Sequence, residues 1–562
     1  MNQPRLPQAI ADLESQLRRV DLPLEVPGVD EARLTLRELV GQLNDYLLPR
    51  LRELDAPLLA VVGGSTGAGK STLVNSFVGA VVSAAGVLRP TTTTPVLVSH
   101  PEDLSWFEGD RVLPGLPRSS GAPPSGAKVL HLVADADVPR GLALLDAPDI
   151  DSVVKANREM ASQLLTAADL WLFVTTAARY ADAVPWEFLR RARARSTALA
   201  LVLNRVPREA MDEVPAHLAE MLRREGLDDA PVLTVAEVDL DEGLVPGPAL
   251  EPVAAWLRSL ALDSRARSEA VGRTLEGALD SLPGRVGVVA GQLEAQIAAG
   301  GALADEVDRA YEQAAREVDE GLSGGALLRT EVLARWHEFV GTGEVMRNLQ
   351  NVIGRFRDRV NEVLSGQPPI EREIRNEVER GIETVFLAAA DKAVERTLAT
   401  WKATPYGRSL IAQGRVPQRS SPQLAAAVET QVRAWQGKVL ELVRAQGASK
   451  RAAGRVVSIG VNAVGAALMI VVFAHTGGLT GGEVAIAGGT AALSQRLLEA
   501  MFGDEAVRNL TASARAELMN GLHRLLDAEA ARFSAVAKAA SPHAGDVRAL
   551  RSALDEVRAA RT

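Results

Sequence analysis

The chain opens on two helical stripes. Leu6, Ile10, Leu13 and Leu17 recur at helical spacing, and so do Leu34, Leu36, Leu39, Leu43, Leu47, Leu51 and Leu54 after an interruption at Pro23, Pro27 and Gly28. Each stripe needs a partner, and the long helices further along the chain are the expected ones. From Pro57 the pattern changes to short apolar runs separated by helical pieces. The runs Leu58–Val62, Pro95–Val98, Val129–Val133, Gly141–Leu145, Leu170–Val174, Ala198–Leu203 and Pro231–Val235 read as buried strands. Strands alternating with helices predict an α/β sheet sandwich from about Pro57 to Arg258. The stretch Pro114–Lys128, rich in Gly, Pro and Ser, reads as a surface loop.

Beyond Pro252 the alternation stops. Val271, Leu275, Leu279, Leu282, Val286, Val289, Leu293 and Ile297 recur every three or four residues, and similar patterns run through Leu303–Leu322, Val332–Val363 and Ile370–Leu398. Breaks are expected at Gly321–Gly325, at Ser365–Pro369 and over a loop-like run Pro405–Pro422. Helix resumes over Leu424–Gln446 and from Ser494 to the end, with a break near Ser541-Pro542. No regular heptad is present, so a helical bundle fits better than a coiled coil.

One segment differs from the rest. Val456–Gly482 contains no Asp, Glu, Lys or Arg, and a weaker apolar run follows Glu483 to Leu493. As a helix, Val456–Ala474 would be about 28 Å long, close to a bilayer core. Basic residues flank it at Lys450, Arg451, Arg455 and Arg496. The segment reads as a membrane hairpin or re-entrant insertion, with Val461, Leu468, Ile470 and Phe473 towards lipid. The alternative is a central bundle helix buried by its neighbours.

Composition narrows the function classes. With 562 residues the chain is long enough for three or four domains, and 47% hydrophobic with 4% aromatic content points to Leu/Ala/Val packing. Absence of cysteine removes disulfides, thiolate metal sites and thiol chemistry. A net charge of -9 argues against general nucleic-acid binding. No secretory signal is visible over Met1–Leu22, and a cytoplasmic setting is expected. The seven histidines form no close pair with metal spacing.

The chemistry concentrates in Gly64-Ser65-Thr66-Gly67-Ala68-Gly69-Lys70-Ser71, directly after an apolar strand and before a helix-forming run that includes Thr72. Glycines let the backbone approach phosphate oxygens, Lys70 would reach the β/γ-phosphates, and the Ser71 hydroxyl would be a Mg²⁺ ligand. Backbone N–H groups of Thr66 to Lys70 are expected to cradle the oxygens. Asp146 ends the strand run before Ala147-Pro148-Asp149 and is placed to hold the same ion. Between them, Thr92 or Thr93 of Arg89-Pro90-Thr91-Thr92-Thr93-Thr94-Pro95 could complete the magnesium shell when a γ-phosphate is present. Arg89 is a conceivable local cation, or simply solvated. Asn204-Arg205-Val206-Pro207 follows a strand and resembles the N-K-x-D base-recognition motif, with proline in place of the aspartate. Val235-Ala236-Glu237 resembles a later backbone contact to guanine.

Together these motifs, the helical remainder and the late hydrophobic segment resemble a bacterial dynamin-like GTPase. The motif resemblance covers about 200 residues. It implies an α/β P-loop GTPase domain followed by an all-α neck and stalk with a hydrophobic membrane tip. The domains would be 1–56 (helices on the neck), 57–258 (GTPase), 259–455 (neck and stalk), 456–493 (membrane segment) and 494–562 (returning helices). It further implies GTP as substrate with Mg²⁺, and self-assembly into homo-oligomers, with a related dynamin-like chain as a further partner. The location would be the cytoplasmic side of a membrane that the protein binds or remodels. Lys70, Thr66 and Thr93 would act in hydrolysis; Gly64 to Thr72, Asp146, Asn204 and Arg205 would bind nucleotide.

Besides Pro207, two positions depart from that family. Thr66 stands where glutamine is common, and Asp149 where glycine usually follows D-x-P; Asp149 either faces the phosphates or turns away towards Asp151. Two other functions stay open: a soluble regulatory GTPase with a helical protein-binding part, and a nucleotide-binding scaffold that scarcely turns over.

Overall fold

The computed structural model describes residues 5–84, 94–121, 129–152, 154–194, 197–323, 330–341, 370–447, 460–474 and 484–561. Two compact units make up the chain. The first comprises Met1–Leu22, Gly28–Glu294 and His543–Thr562, and the second Pro23–Pro27 and Ala295–Pro542.

An eight-stranded sheet organises the first unit. Its strands are β1 (Leu58–Gly64), β2 (Val96–Ser99), β3 (Arg118–Ser119), β4 (Leu130–Ala134), β5 (Leu142–Asp146), β6 (Leu170–Thr176), β7 (Ala198–Val206) and β8 (Val232–Ala236). Their order is β3-β4-β2-β5-β1-β6-β7-β8, and every pairing is parallel except β2 against β5. Every residue of β1, β5 and β6 is buried, which is why these strands are continuous apolar runs rather than alternating ones. Side chains of β1 serve two layers in turn: Leu59 and Val61 face one core with Leu145, Leu164 and Phe173, while Leu58, Ala60 and Val62 face another with Leu73, Phe77 and Leu257. The seven strand runs expected from the sequence are present. The eighth, β3, lies in the stretch expected to be loop. Arg118 holds it by donating to the carbonyls of Phe107 (2.9 Å), Leu113 (3.0 Å) and Gly109 (2.8 Å), so the preceding loop folds back on one side chain and shows no hydrophobic period.

Helix α1 (Arg5–Arg19) buries Leu6, Ile10, Leu13 and Leu17 against the C-terminal helix Ala544–Arg561, whose own stripe is Val547, Leu550, Leu554 and Val557. The second stripe is α2 (Val29–Gln42), a π-helical turn at Leu43–Leu47 and α3 (Leu48–Arg52). Arg50 of α3 is buried, donates to the carbonyls of Ala56 (2.9 Å) and Pro57 (3.1 Å) and pairs with buried Asp169, which in turn accepts from Leu59 N–H (2.8 Å). That ion pair ties the helical preface to the start of β1.

The regular elements of the second unit are helices among the described residues. Residues from Ala295 continue the helix Ser264–Ser323, followed by Thr330–Gly341, Ile370–Ala403, Pro405–Ala412, Leu424–Gly447, Val461–Ala474, Val484–Phe502 and Asp504–Ala539. Buried tryptophans each find an acceptor: Trp401 the Leu303 carbonyl (3.2 Å), Trp435 the Ala514 carbonyl (2.7 Å) and Trp336 the Ser494 hydroxyl (3.0 Å). Two sequence expectations need correcting. Pro405–Pro422 is not all loop, because Thr404 caps a helix Pro405–Ala412 by accepting from Gly407 N–H (3.1 Å) with Pro405 in its first turn. The run from Ser494 is also broken at Gly503 (φ 86°), where one helix ends and the next begins.

Within the hydrophobic segment the described residues include a 14-residue helix, Val461–Ala474, set among its neighbours; 456–459 lie outside the described residues. Leu468 is 0% exposed, Ile470 2% and Phe473 4%, while Val461 is half-buried. Phe473 packs edge-on to Trp435 at 5.7 Å, and a Cβ on Gly465 would lie 2.5 Å from the Leu440 side chain, so this helix approaches Leu424–Gly447 closely. In this conformation Leu468, Ile470 and Phe473 are therefore core residues and not a solvent-facing tip. Lys450, Arg451, Arg455 and the glycine-rich residues 475–483 lie outside the described residues, as does most of Val332–Val363. Among the described residues one helix, Ser264–Ser323, holds an 18-residue stretch apolar enough to cross a membrane (mean hydropathy 1.2), and 44% of that stretch is buried.

Candidate functional site

Strand register brings the motifs to one edge. Val62 pairs with Asp146 across β1 and β5, Gly64 with Val174 across β1 and β6, and Thr176 with Asn204 across β6 and β7. The carboxyl ends of these strands thus carry the glycine loop, the acid and the asparagine side by side, where open α/β sheets form their ligand crevices.

Gly64 ends β1 with φ +150°, and a Cβ there would sit 2.1 Å from the Val174 carbonyl oxygen. Gly69 has φ +91°, and its Cβ would meet the Asn204 amide nitrogen at 2.5 Å. Both positions exclude a side chain by contact as well as by dihedral. Between them the loop turns on an Ala68 N–H bond to the Ser65 carbonyl (3.1 Å), and helix α4 (Lys70–Val78) starts directly after Gly69.

Lys70 is 4% exposed. Its ammonium donates to the carbonyls of Gly64 (3.0 Å) and Ser65 (3.2 Å) and pairs with the Asp149 carboxylate. The structure thus chooses between the two orientations open for Asp149: it faces Lys70. The Ser71 hydroxyl donates to Asp146 Oδ2 at 2.6 Å, and Ser83 donates to the same oxygen at 2.5 Å. Asp146 Oδ1 is buried with no hydrogen-bond partner. Burial pushes the Asp146 carboxyl up from its ordinary value, against the bonds from Ser71 and Ser83 and the charge of Lys70.

These residues fit a hard divalent cation. A hydroxyl and a carboxylate with a vacant buried oxygen are the donors that Mg²⁺ takes, and a cation there would offset the desolvation of Asp146. Among the described residues no group of three or more His, Cys, Asp or Glu is placed to hold an ion. Thr92, Thr93 and Arg89 lie outside the described residues.

Thr66 is placed differently from the role expected for it. Its backbone N–H and its hydroxyl both donate to Asp151 Oδ1, at 2.6 and 2.7 Å, so in this conformation neither is directed at a phosphate. Arg179 completes the clasp: it donates to the Thr66 carbonyl (2.9 Å), to Asp151 Oδ2 (3.0 Å) and to Asp182 (2.8 Å). Burial opposes ionisation of Asp151, but the Thr66 bonds and the Arg179 guanidinium together hold its carboxyl below the usual range.

Asn204 is buried and donates its amide to the Ala68 carbonyl (2.8 Å), while its Oδ1 accepts from Arg205 N–H (3.0 Å). Arg205 is exposed with φ +54°, an uncommon backbone for a residue with a Cβ. Glu237 N–H reaches the Val206 carbonyl (2.8 Å), which brings Val235-Ala236-Glu237 beside the Asn204 loop. Beyond Asp151 lies an open cleft of about 540 Å³ lined by Ile150, Ser152, Arg158, Glu187 and Arg191; no phosphate-loop residue lines it.

Three participants were not picked out from sequence: Ser83, Asp151 as an acceptor, and Arg179. Ser83 is held by Asn75, whose side chain accepts from the N–H groups of Val82 (3.0 Å) and Ser83 (2.8 Å) and donates to the Ser83 carbonyl (2.8 Å). A buried asparagine inside the helix that follows a phosphate loop was the available signal. Arg179 had none, since it lies 113 positions from its partner Thr66.

No family model and no curated protein matches this chain. Solved structures with a similar course include two of an oligomerised bacterial dynamin pair described for long-range sensing and tethering of membranes. Each is 8% identical, with TM-scores of 0.39 and 0.40; they cover 98% and 97% of this chain and 94% and 97% of theirs. LeoA, a bacterial dynamin GTPase from ETEC, is 11% identical with a TM-score of 0.24, over 100% of this chain and 99% of its own. At such identities and scores the likeness carries no weight, and what the site can do rests on its own atoms.

Proposed function

We propose that the chain binds a nucleoside triphosphate with Mg²⁺ on Gly64–Ser71 and hydrolyses it, with GTP as the substrate. The observation that carries this reading is the convergence of Lys70 and Ser71 with Asp146 at the ends of β1 and β5. Lys70 would neutralise charge on the β/γ-phosphates, and the α4 N-terminus adds the positive end of its dipole. Ser71 and Asp146 would hold the Mg²⁺, whose chemistry there is charge neutralisation between phosphates. Phosphoryl transfer of this class asks a protein mainly for position and charge, which is what buried Lys70 and a backbone-defined loop supply. Asn204 and Arg205 would contribute part of a guanine pocket, with Pro207 in place of an acidic acceptor.

Titration with labelled GTP is the test: Lys70→Ala and Ser71→Ala are expected to remove most binding while the fold remains. Wild-type affinity in folded Lys70→Ala protein would overturn the site assignment.

As a dynamin-like GTPase, the chain would couple turnover to membrane association on the cytoplasmic side and to self-assembly, through the helical unit. Because Leu468, Ile470 and Phe473 are buried, lipid contact through Val461–Ala474 would require that unit to open. The same burial favours a second reading, a soluble regulatory GTPase whose helices bind protein. Liposome flotation with and without a GTP analogue separates the two; the membrane reading expects lipid-bound protein, and the regulatory reading expects none.

A further inference from the structure

An ammonium group has three N–H donors, and those of Lys70 are matched by three acceptors: the Gly64 carbonyl, the Ser65 carbonyl and the Asp149 carboxylate. A phosphate oxygen can bond this buried ammonium only by replacing one of them. The two carbonyls belong to the frame of the site. Gly64 is packed against the Val174 carbonyl across β1 and β6, and the Ser65 carbonyl also receives Ala68 N–H. Asp149 is held differently, at the tip of a side chain in the segment after β5. The backbone bonds around it are long, at 3.4 Å for both Ile150 N–H to the Gly64 carbonyl and Ser152 N–H to the Asp149 carbonyl. Of the three acceptors, Asp149 is the one that can leave by side-chain rotation.

We infer that Asp149 is a built-in competitor, whose carboxylate occupies on Lys70 the place of a ligand phosphate and must swing away before a triphosphate binds. The inference rests on the nucleotide reading of the loop given above. Charge sharpens the competition. Asp149 already neutralises the buried ammonium, so a triphosphate would meet a negative charge on Lys70 in place of a free positive one. The pair therefore stabilises the ligand-free site at the expense of the liganded one.

Removing the charge should then move stability and affinity in opposite directions. Asp149→Asn keeps the size of the side chain but leaves Lys70 without its counter-charge, so the thermal midpoint of the ligand-free protein is expected to fall. Affinity for a labelled non-hydrolysable GTP analogue at fixed Mg²⁺ is expected to rise about tenfold, and Asp149→Gly is expected to do the same. A residue that merely supported the fold would lower both.

The measurement is a titration of wild type, Asp149→Asn, Asp149→Gly and Lys70→Ala with that analogue, beside their midpoints without it. Tighter binding in both Asp149 variants with a lowered ligand-free midpoint supports the competitor, as does binding that appears only when Asp149 is replaced. Equal or weaker binding in both folded variants, with Lys70→Ala still abolishing it, overturns the competitor and spares the nucleotide reading. If no protein in the set binds the analogue, the nucleotide reading falls and the competitor with it.

Discussion

Asp151 accepts both the backbone N–H and the hydroxyl of Thr66, at 2.6 and 2.7 Å, and so fixes the third residue of the glycine loop from outside the loop. Arg179 bonds both partners of that contact. The loop is shaped by its glycines, but its orientation is set by an acid and an arginine from two other segments.

The clasp should be pH-dependent. Its Asp151 carboxyl is held below the ordinary value of 3.8, against the opposing effect of its burial. A depressed folded-state value means a contribution that is full above the unfolded value and is lost as pH falls through it towards the folded one. The difference in midpoint between wild type and Asp151→Asn should therefore stay constant from pH 7 to about 5 and shrink below about 4. Thermal melts across that range check it; a difference that grows on acidification would show the sign to be wrong.

Gly64→Ala places a methyl group 2.1 Å from the Val174 carbonyl, at the carboxyl end of β1 where it pairs with β6. Neither strand can retreat without losing ladder bonds. A cost of about 3 kcal/mol is expected, with loss of nucleotide binding. Denaturant unfolding measures it, and a variant within about 1 kcal/mol of wild type would mean that the β1–β6 contact relaxes more easily than a close-packed sheet should.

Asn204→Ala removes the donor to the Ala68 carbonyl and one wall behind Gly69. A buried carbonyl left without its partner costs about 2 kcal/mol. Because Asn204 supports the phosphate loop as well as lying at the proposed base pocket, the variant should bind GTP and ATP both more weakly. Competition of labelled GTP by each nucleotide reads the two effects separately: a loss confined to GTP would assign Asn204 to the base alone.

Leu468→Asp puts a carboxylate into a position that is 0% exposed. An unpaired buried charge costs about 4 kcal/mol, or about 10 °C in the midpoint of a unit this size. From sequence alone, with Leu468 directed to lipid, the midpoint would be unaffected and liposome binding lost. Calorimetry on wild type and variant distinguishes these outcomes, and an unshifted midpoint would mean that Val461–Ala474 is not a core helix in solution.

Local order was legible where one short-range rule decided it. Buried strands such as Leu58–Val62 and Leu170–Val174 are continuous apolar runs because both faces are covered, and the strand–turn–helix course of Gly64 to Ser71 is legible because its glycines stand where the backbone takes positive φ. Asp146 was read as the acid at the tip of its strand, and β5 ends there. The tertiary structure decided what depends on which distant groups meet. Asp149 turns to Lys70 and not towards Asp151, because a buried ammonium needs a third acceptor. Arg179 reaches Thr66 only because β6 lies beside β1 in the sheet. Val461–Ala474 illustrates the limit most directly: an uncharged apolar helix satisfies a bilayer and a protein interior equally well by composition. In this structure the neighbours that cover Leu468 and Phe473, among them Trp435, place it in the interior.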